Sequence, residues 1–226
     1  MHYDNIVKGI FKERPNRFIA HIWIDNVLEI CHVKNTGRCR ELLIEGVEVW
    51  VQRSSNPNRK TNYDLIAVKK ANRIINIDSQ IPNKVFHEWL LGGSLFQDIV
   101  KIKPEFTYGN SRVDFLVETK EAKHLIEIKG VTLEEDNKVL FPDAPTERGL
   151  KHIYELIECI DEGFIPLLVF VIQLSDVDSF SPNRKMHPEF ADALRLASRK
   201  GVGILAFECK VDPENIIISE EVPIIL

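Results

Sequence analysis

The run from Ile165 to Leu174 carries one polar side chain, Gln173, in ten residues. It is too short for the ~20 apolar residues that span a bilayer, and too evenly apolar for a strand with one face in water. It fits a strand of a parallel sheet covered on both faces. Helices must then flank it. Thr146 to about Glu162 supplies one, with Leu150, Ile153, Ile157 and Ile160 as its apolar face and Gly163 as a stop. A second helix is expected near 188–200, followed by a strand near 202–209. Upstream lie expected strands near 98–106, 111–118 and 123–129, then a long loop from Val131 to Pro145. A helix opening at Ile81-Pro82-Asn83, with Val85, Trp89 and Leu90 on one face, ends at Gly92-Gly93. The order α, β, β, β, α, β, α, β implies a mixed sheet sandwiched by helices.

Before Ile77 the pattern is mostly period two. Phe18, Ala20, Ile22 and Ile24 alternate with Ile19, His21, Trp23 and Asp25, and Val47, Val49 and Val51 repeat the pattern. Further short strands are expected near 5–12, 27–33, 63–70 and 73–78, with turns at Asp25-Asn26, Asn35-Thr36-Gly37 and Asn56-Pro57-Asn58 and one helical turn over Cys39 to Glu45. Many short strands in so few residues suggest a small closed barrel, because closure removes exposed edges. Two domains are therefore expected, a barrel over 1–81 and an α/β domain over 82–226. Charge divides them too. The first holds 13 Lys/Arg and 9 Asp/Glu, net +4, and the second 16 and 25, net −9. A basic module beside an acidic one suits a polyanion-binding part joined to a part with clustered carboxylates.

The N-terminus, Met-His-Tyr-Asp-Asn, lacks the charged start and apolar middle of a signal peptide, and a cytoplasmic location without membrane attachment is expected. Cys31, Cys39, Cys159 and Cys209 show no Cys-x-x-Cys spacing and read as reduced, structural thiols.

The stretch from Arg112 to Thr132 reads as two strands joined by a polar turn. On the first, Arg112, Asp114 and Leu116 oppose Val113, Phe115 and Val117; on the second, Leu125, Glu127 and Lys129 oppose Ile126 and Ile128. Asp114, Glu127 and Lys129 can converge among residues that fill cores, where a charge is costly unless paired or bound to metal. A hard divalent cation such as Mg²⁺ takes oxygen ligands, commonly one or two carboxylates completed by water and phosphate. Lys129 beside it can orient a water or balance charge developing on a phosphate. The alternative for the same residues is a solvated pair of Glu127 with Lys129, and Asp114 paired with Arg112.

An Asp on one strand, a turn, then Glu-x-Lys on the next, with a helix carrying Glu88 before and a crossover helix after, resembles the PD-(D/E)XK nuclease superfamily over about residues 82–209. Val113 stands where that name has Pro. Glu88 is a further candidate metal-site residue. Longer blocks are more specific: Asn35-Thr36-Gly37-Arg38, Arg59-Lys60-Thr61-Asn62-Tyr63, Arg112 to Leu116, Glu127 to Leu133 and Phe141 to His152. Together they resemble the sugar fermentation stimulation protein A family over nearly the whole chain. That resemblance implies an OB-like barrel followed by a PD-(D/E)XK nuclease-like domain, DNA binding, and a regulatory role in sugar utilisation. The metal it implies is Mg²⁺ or Mn²⁺ at Asp114 and Glu127.

Thr146 is a candidate N-cap for the crossover helix, whose first turns hold Glu147, Arg148, Lys151 and His152. Arg148, Lys151 and His152 can contact a nucleic-acid backbone at that helix start, or His152 can assist proton transfer. The alternative is an exposed face with a Glu147–Lys151 pair. In the barrel, Arg53, Arg59, Lys60 and Arg38, with Lys34 and Arg40, can neutralise phosphates. Trp50 and Tyr63 are either stacking surfaces or core, core being favoured for Trp50, and His32 and His87 read as structural. Three functions fit these residues: a metal-dependent nuclease, a non-catalytic DNA-binding regulator that keeps the nuclease fold, and a small-molecule or protein-binding module. The DNA can be single-stranded or structured.

Overall fold

The computed structural model describes residues 1–35, 37–93 and 95–226. Thr36, in the expected Asn35-Thr36-Gly37 turn, lies outside them. The chain forms two compact units: Met1–Ile81 with Gln173–Ser175 and Cys209–Ile217, and Pro82–Ile172 with Asp176–Glu208 and Ile218–Leu226.

The first unit holds β1 (Ile6–Asn16), β2 (Ile19–Ile24), β3 (Val27–Val33), β4 (Glu48–Arg53), β5 (Tyr63–Lys70) and β6 (Arg73–Asn76). β1 pairs antiparallel with both β2 and β4, and β4 pairs antiparallel with β5. A parallel pairing of β3 with β5, Cys31 opposite Tyr63 and Val33 opposite Leu65, closes five strands into a barrel. β6 extends β5. Alternation is what fills the interior: Phe11, Ala20, Ile22, Ile24, Val49, Val51 and Leu65 are all buried. Gly9 lets β1 approach β2, since a Cβ there would lie 2.6 Å from Ile22 Cγ2 and 2.9 Å from the Trp23 carbonyl oxygen. Asp25 and Asn26, with φ of 49° and 66°, make the two-residue hairpin turn expected of that pair. Cys39 to Glu45 contains a single turn, in which the Leu43 N–H donates to Cys39 O at 2.9 Å.

Two readings of the barrel change. Phe18 lies outside β2 and is exposed, so the buried face of that strand begins at Ala20. Trp50 is buried, as favoured from the sequence, and Tyr63 is buried too rather than a stacking platform; the Arg53 guanidinium covers the Tyr63 ring at 5.8 Å.

The second unit contains α1 (Ile81–Leu91), β7 (Ile99–Tyr108), β8 (Ser111–Thr119), β9 (Lys123–Val131), β10 (Glu134–Glu135), β11 (Lys138–Phe141), α2 (Glu147–Glu158), β12 (Ile165–Ile172), β13 (Ser179–Pro182), α3 (Pro188–Lys200), β14 (Gly203–Val211) and β15 (Ile216–Glu221), the last two running on into the segment grouped with the first unit. The main sheet has the order β15-β14-β12-β9-β8-β7. β7, β8 and β9 form an antiparallel meander, and β9, β12 and β14 are parallel. β12, between β9 and β14, is buried almost throughout, as its apolar run requires. α1 packs Phe86 against Phe115 and Trp89 against Phe207.

The stretch expected as a long loop holds β10 and β11, joined by Asp136 and Asn137 with positive φ; β11 pairs parallel with β13 in a small second sheet. Strands of two to four residues leave too short a period to read. Thr146 caps α2, its hydroxyl accepting from the Gly149 N–H at 3.0 Å. The buried stripe of α2 is Gly149, His152, Ile153 and Leu156 rather than Leu150, Ile153, Ile157 and Ile160. None of the four cysteines forms a disulfide and all are buried; burial pushes the Cys31 and Cys159 thiols up to about 12, which keeps them inert. Among the described residues no helix is long and apolar enough to cross a membrane.

Candidate active site

Strands β8 and β9 pair from Phe115 opposite Ile126 to Glu118 opposite Lys123. Continuing the register by one residue sets Asp114 opposite Glu127 on one face. There the side chain takes over from the ladder: Asp114 Oδ2 accepts the Ile128 N–H at 2.7 Å. Its other oxygen, Oδ1, accepts from Asn83 Nδ2 at 2.7 Å. Asn83 lies in the first turn of α1 and had no sequence signal as a site residue. Glu88, five residues on, is about 140° around the helix from it and is exposed. The side chain that α1 brings to Asp114 is therefore Asn83.

Glu127 is 4 % exposed. Lys129 Nζ donates to its Oε1 at 2.6 Å, and His152 Nδ1 bonds the same oxygen. Lys129 Nζ also lies 3.5 Å from His152 Nδ1. On the far side of the ring, Arg148 Nε donates to His152 Nε2 at 3.4 Å. An accepting Nε2 assigns the ring proton to Nδ1, facing Glu127. Neither bond falls on Glu127 Oε2. A cavity of about 10 Å³, room for roughly one water, adjoins Glu127 and His152.

The two carboxyls are driven apart. Burial and the Glu127 charge hold the Asp114 carboxyl above its ordinary range, against the bonds from Ile128 and Asn83 and the charge of Lys129. Burial acts on Glu127 in the same sense, but the His152 hydrogen bond and Lys129 outweigh it and hold that carboxyl below its ordinary range. Negative charge is thus held more readily on Glu127 than on Asp114.

The solvated-pair alternative does not hold. Glu127 and Lys129 do pair, with both side chains largely out of water, and Arg112 bonds Glu105 at 3.1 Å rather than Asp114. His152 is buried, so it belongs to the carboxylate cluster and cannot touch a nucleic-acid backbone. Arg148 and Lys151 are exposed; Lys151 donates to Ser111 Oγ at 2.8 Å and pairs with Glu155, not Glu147. Among the described residues no group of three or more His, Cys, Asp and Glu side chains is assembled as a ready metal site.

The barrel residues separate. Arg38, Arg53 and Lys60 are exposed. Arg59 instead makes a fork to Asp64, with Nη1 to Oδ2 at 2.8 Å and Nη2 to Oδ1 at 2.5 Å. His32 Nδ1 bonds Asp64 at 3.0 Å, and Lys34 lies 3.4 Å from both Asp64 and Asp78. His87 stacks on Phe115, as a structural histidine does.

Comparison with known proteins agrees with this architecture. Residues 80–215 match the family model "Sugar fermentation stimulation protein RE domain", and residues 13–77 match "SfsA N-terminal OB domain". The sugar fermentation stimulation protein homolog of Ruminiclostridium cellulolyticum is 58 % identical over 224 residues, 99 % of each chain. That of Clostridium beijerinckii is 55 % identical over 226 residues, the whole of both. The solved structure of Pyrococcus furiosus SfsA in complex with Ca²⁺ aligns with a TM-score of 0.91 at 30 % identity, covering 100 % of this chain and 98 % of that one. A five-stranded OB barrel, a mixed sheet with three helices and matches over nearly every residue lead to one assignment: the chain belongs to the sugar fermentation stimulation protein family.

Proposed function

We propose that this protein binds DNA and hydrolyses its phosphodiester bonds with a divalent cation, Mg²⁺ or Mn²⁺, held by Asp114 and Glu127. The observation that carries the reading is the placement of Asp114 beside a buried Glu127 on adjacent strands, with Lys129 bonded to Glu127. Two carboxylates and one ammonium leave a net negative charge out of water, which a divalent cation would balance. The donor set is all oxygen, as a hard cation requires, and a relative of the same fold was solved with Ca²⁺. When bound, the metal lowers the pKa of a water and polarises a phosphoryl oxygen. The chain's own residues do the rest. Asn83 and the Ile128 N–H fix the Asp114 carboxylate, His152 and Arg148 fix Glu127, and Lys129 keeps a positive charge beside the anion that develops. Arg38, Arg53 and Lys60 on the barrel, and Arg148 and Lys151 at the start of α2, supply phosphate contacts.

A second reading, a DNA-binding regulator without catalysis, is favoured by one observation: Lys129 and His152 already satisfy Glu127 Oε1. Incubation with single-stranded, duplex and branched DNA in Mg²⁺ or Mn²⁺ separates the two. The nuclease reading expects cleavage that Asp114→Ala abolishes. Intact substrates with both metals, together with unchanged metal binding by Asp114→Ala, would remove it in favour of the regulator.

A further inference from the structure

A second concave site lies in the barrel unit, between the C-terminal half of β1 and the segment after Gly37. It is a cavity of about 400 Å³, within the ~300–1,000 Å³ range of small-molecule sites. Lys12, Arg17, Arg38 and Arg40 line it, with Arg14 in its wall. The two acids of the lining already have partners, Glu13 in His21 at 2.9 Å and Glu45 in Lys12, itself part of the lining, at 3.4 Å. Among the described residues Arg17, Arg38 and Arg40 form no ion pair, and the lining sets five basic side chains against two acids.

Arg14 holds the walls together. Its Nη1 donates to the carbonyls of Gly37 and Arg38 at 2.7 and 2.8 Å, and its Nη2 to those of Arg17 and Asn35 at 2.8 and 2.6 Å. Four of its five donors thus fix the backbone that carries Arg17 and Arg38. The fifth, Nε–H, is buried and has no partner in the protein.

We infer that this cavity is a site for a phosphomonoester, carried by a free nucleotide or by the end of a nucleic-acid strand. Guanidinium forks match phosphate oxygens in pairs, and a monoester, carrying about −1.5 to −2 charge at neutral pH, balances three unpaired arginines better than a carboxylate or an internal diester does. The cavity's size admits a phosphate with its nucleoside. The inference rests on neither Asp114 nor Glu127 and stands whether or not the carboxylate site cuts.

The test is binding of the full chain without divalent metal to four probes: deoxycytidine, deoxycytidine 5′-monophosphate, and a ten-nucleotide single strand with either a 5′-phosphate or a 5′-hydroxyl. The phosphorylated form of a probe is expected to bind about tenfold or more tighter than its unphosphorylated partner. Arg38→Ala with Arg40→Ala should bring that ratio to about one; both side chains are exposed, and an unchanged melting temperature confirms the fold. If the double variant melts early, Arg40→Glu alone must still lower the ratio. A mononucleotide that binds as well as the phosphorylated strand makes free nucleotides the source, and a clear preference for the strand makes it strand ends. Equal affinity with and without phosphate, or a preference that survives loss of the arginines, overturns the inference.

Discussion

The Asp114 carboxylate occupies the position of a missing strand partner: its Oδ2 accepts the Ile128 N–H at 2.7 Å, one step beyond the last ladder pair of β8 and β9. The same group is strained as an anion by burial and by Glu127. Structure and charge therefore make opposite demands on it, and two substitutions separate them.

Asp114→Asn keeps an oxygen for the Ile128 N–H and removes the charge. Its melting temperature should equal or exceed that of the parent, and under the proposed metal site any rise the parent shows with Ca²⁺ should be lost and any Mg²⁺-dependent cleavage fall by about 100-fold or more. Asp114→Ala leaves the Ile128 N–H without an acceptor and should cost about 1–3 kcal/mol. Thermal melts of both variants, with and without Ca²⁺, read out the difference.

Lys129→Met retains the stem and removes the charge nearest Glu127. Glu127 is then left with His152 alone in a buried setting, and urea unfolding should show a loss of about 1–3 kcal/mol. Cleavage should fall with it, whereas affinity for DNA, carried by exposed arginines and lysines, should change by less than about threefold.

Asp64 predicts an acid-sensitive barrel. Burial opposes its ionisation, but the Arg59 fork, the Lys34 charge and the His32 bond outweigh this and bring the carboxyl to about 2, from an ordinary 3.8. Because the folded value is the lower one, the stabilisation is complete above the unfolded pKa and drains away as pH falls from about 4 through about 2. Asp64→Asn should cost about 2 kcal/mol at pH 7, and its urea midpoint should converge on the parent's near pH 2.

Affinity for single-stranded DNA should fall steeply with salt, and the triple change of Arg38, Arg53 and Lys60 to Ala should reduce the log–log slope by about 2 to 3. Arg59→Ala should act differently. It should lower the melting temperature through Asp64, because both arms of its guanidinium are committed there.

Gly149→Ala tests how closely α2 starts on its cap. In an open helix the change stabilises by about 1 kcal/mol. Here the new methyl would lie 2.8 Å from Thr146 Cγ2 and 3.0 Å from its Oγ1, so a loss of about 1–3 kcal/mol is expected. Adding Thr146→Ser removes one of the two contacts while keeping the cap hydroxyl, and should recover part of it.

The period-two alternation around Asp114, Glu127 and Lys129 was enough to place all three side chains on one face, because a strand's repeat is local. The Thr146 cap was legible for the same reason. Asn83 was not: its role depends on where the first turn of α1 meets β8, and nothing in Ile-Pro-Asn encodes that meeting. The inward turn of His152 was hidden as well. On a helical wheel it sits beside Arg148 and Lys151 and reads as solvent-facing, whereas the buried charge of Glu127, 25 residues away, draws it in. Arg59 looked like a phosphate contact because its partner Asp64 lies on the neighbouring strand start, outside any periodic pattern. β10 and β13 were too short to announce themselves.

The pairing that closes the barrel joins β3 to β5 at residues 32 positions apart, His32 facing Asp64. The hairpins of β1 with β2 and β2 with β3 need far shorter loops, so chain entropy weighs on the β3–β5 seam, as on the β1–β4 pairing of Ile6 with Gln52, more than on the hairpins. The ion cluster of Asp64, Arg59, Lys34 and His32 sits on that seam. Acid therefore loosens the barrel at a contact that no hairpin turn holds, and amide exchange at Val33 and Leu65 should accelerate on acidification before exchange within the β1–β2 hairpin does.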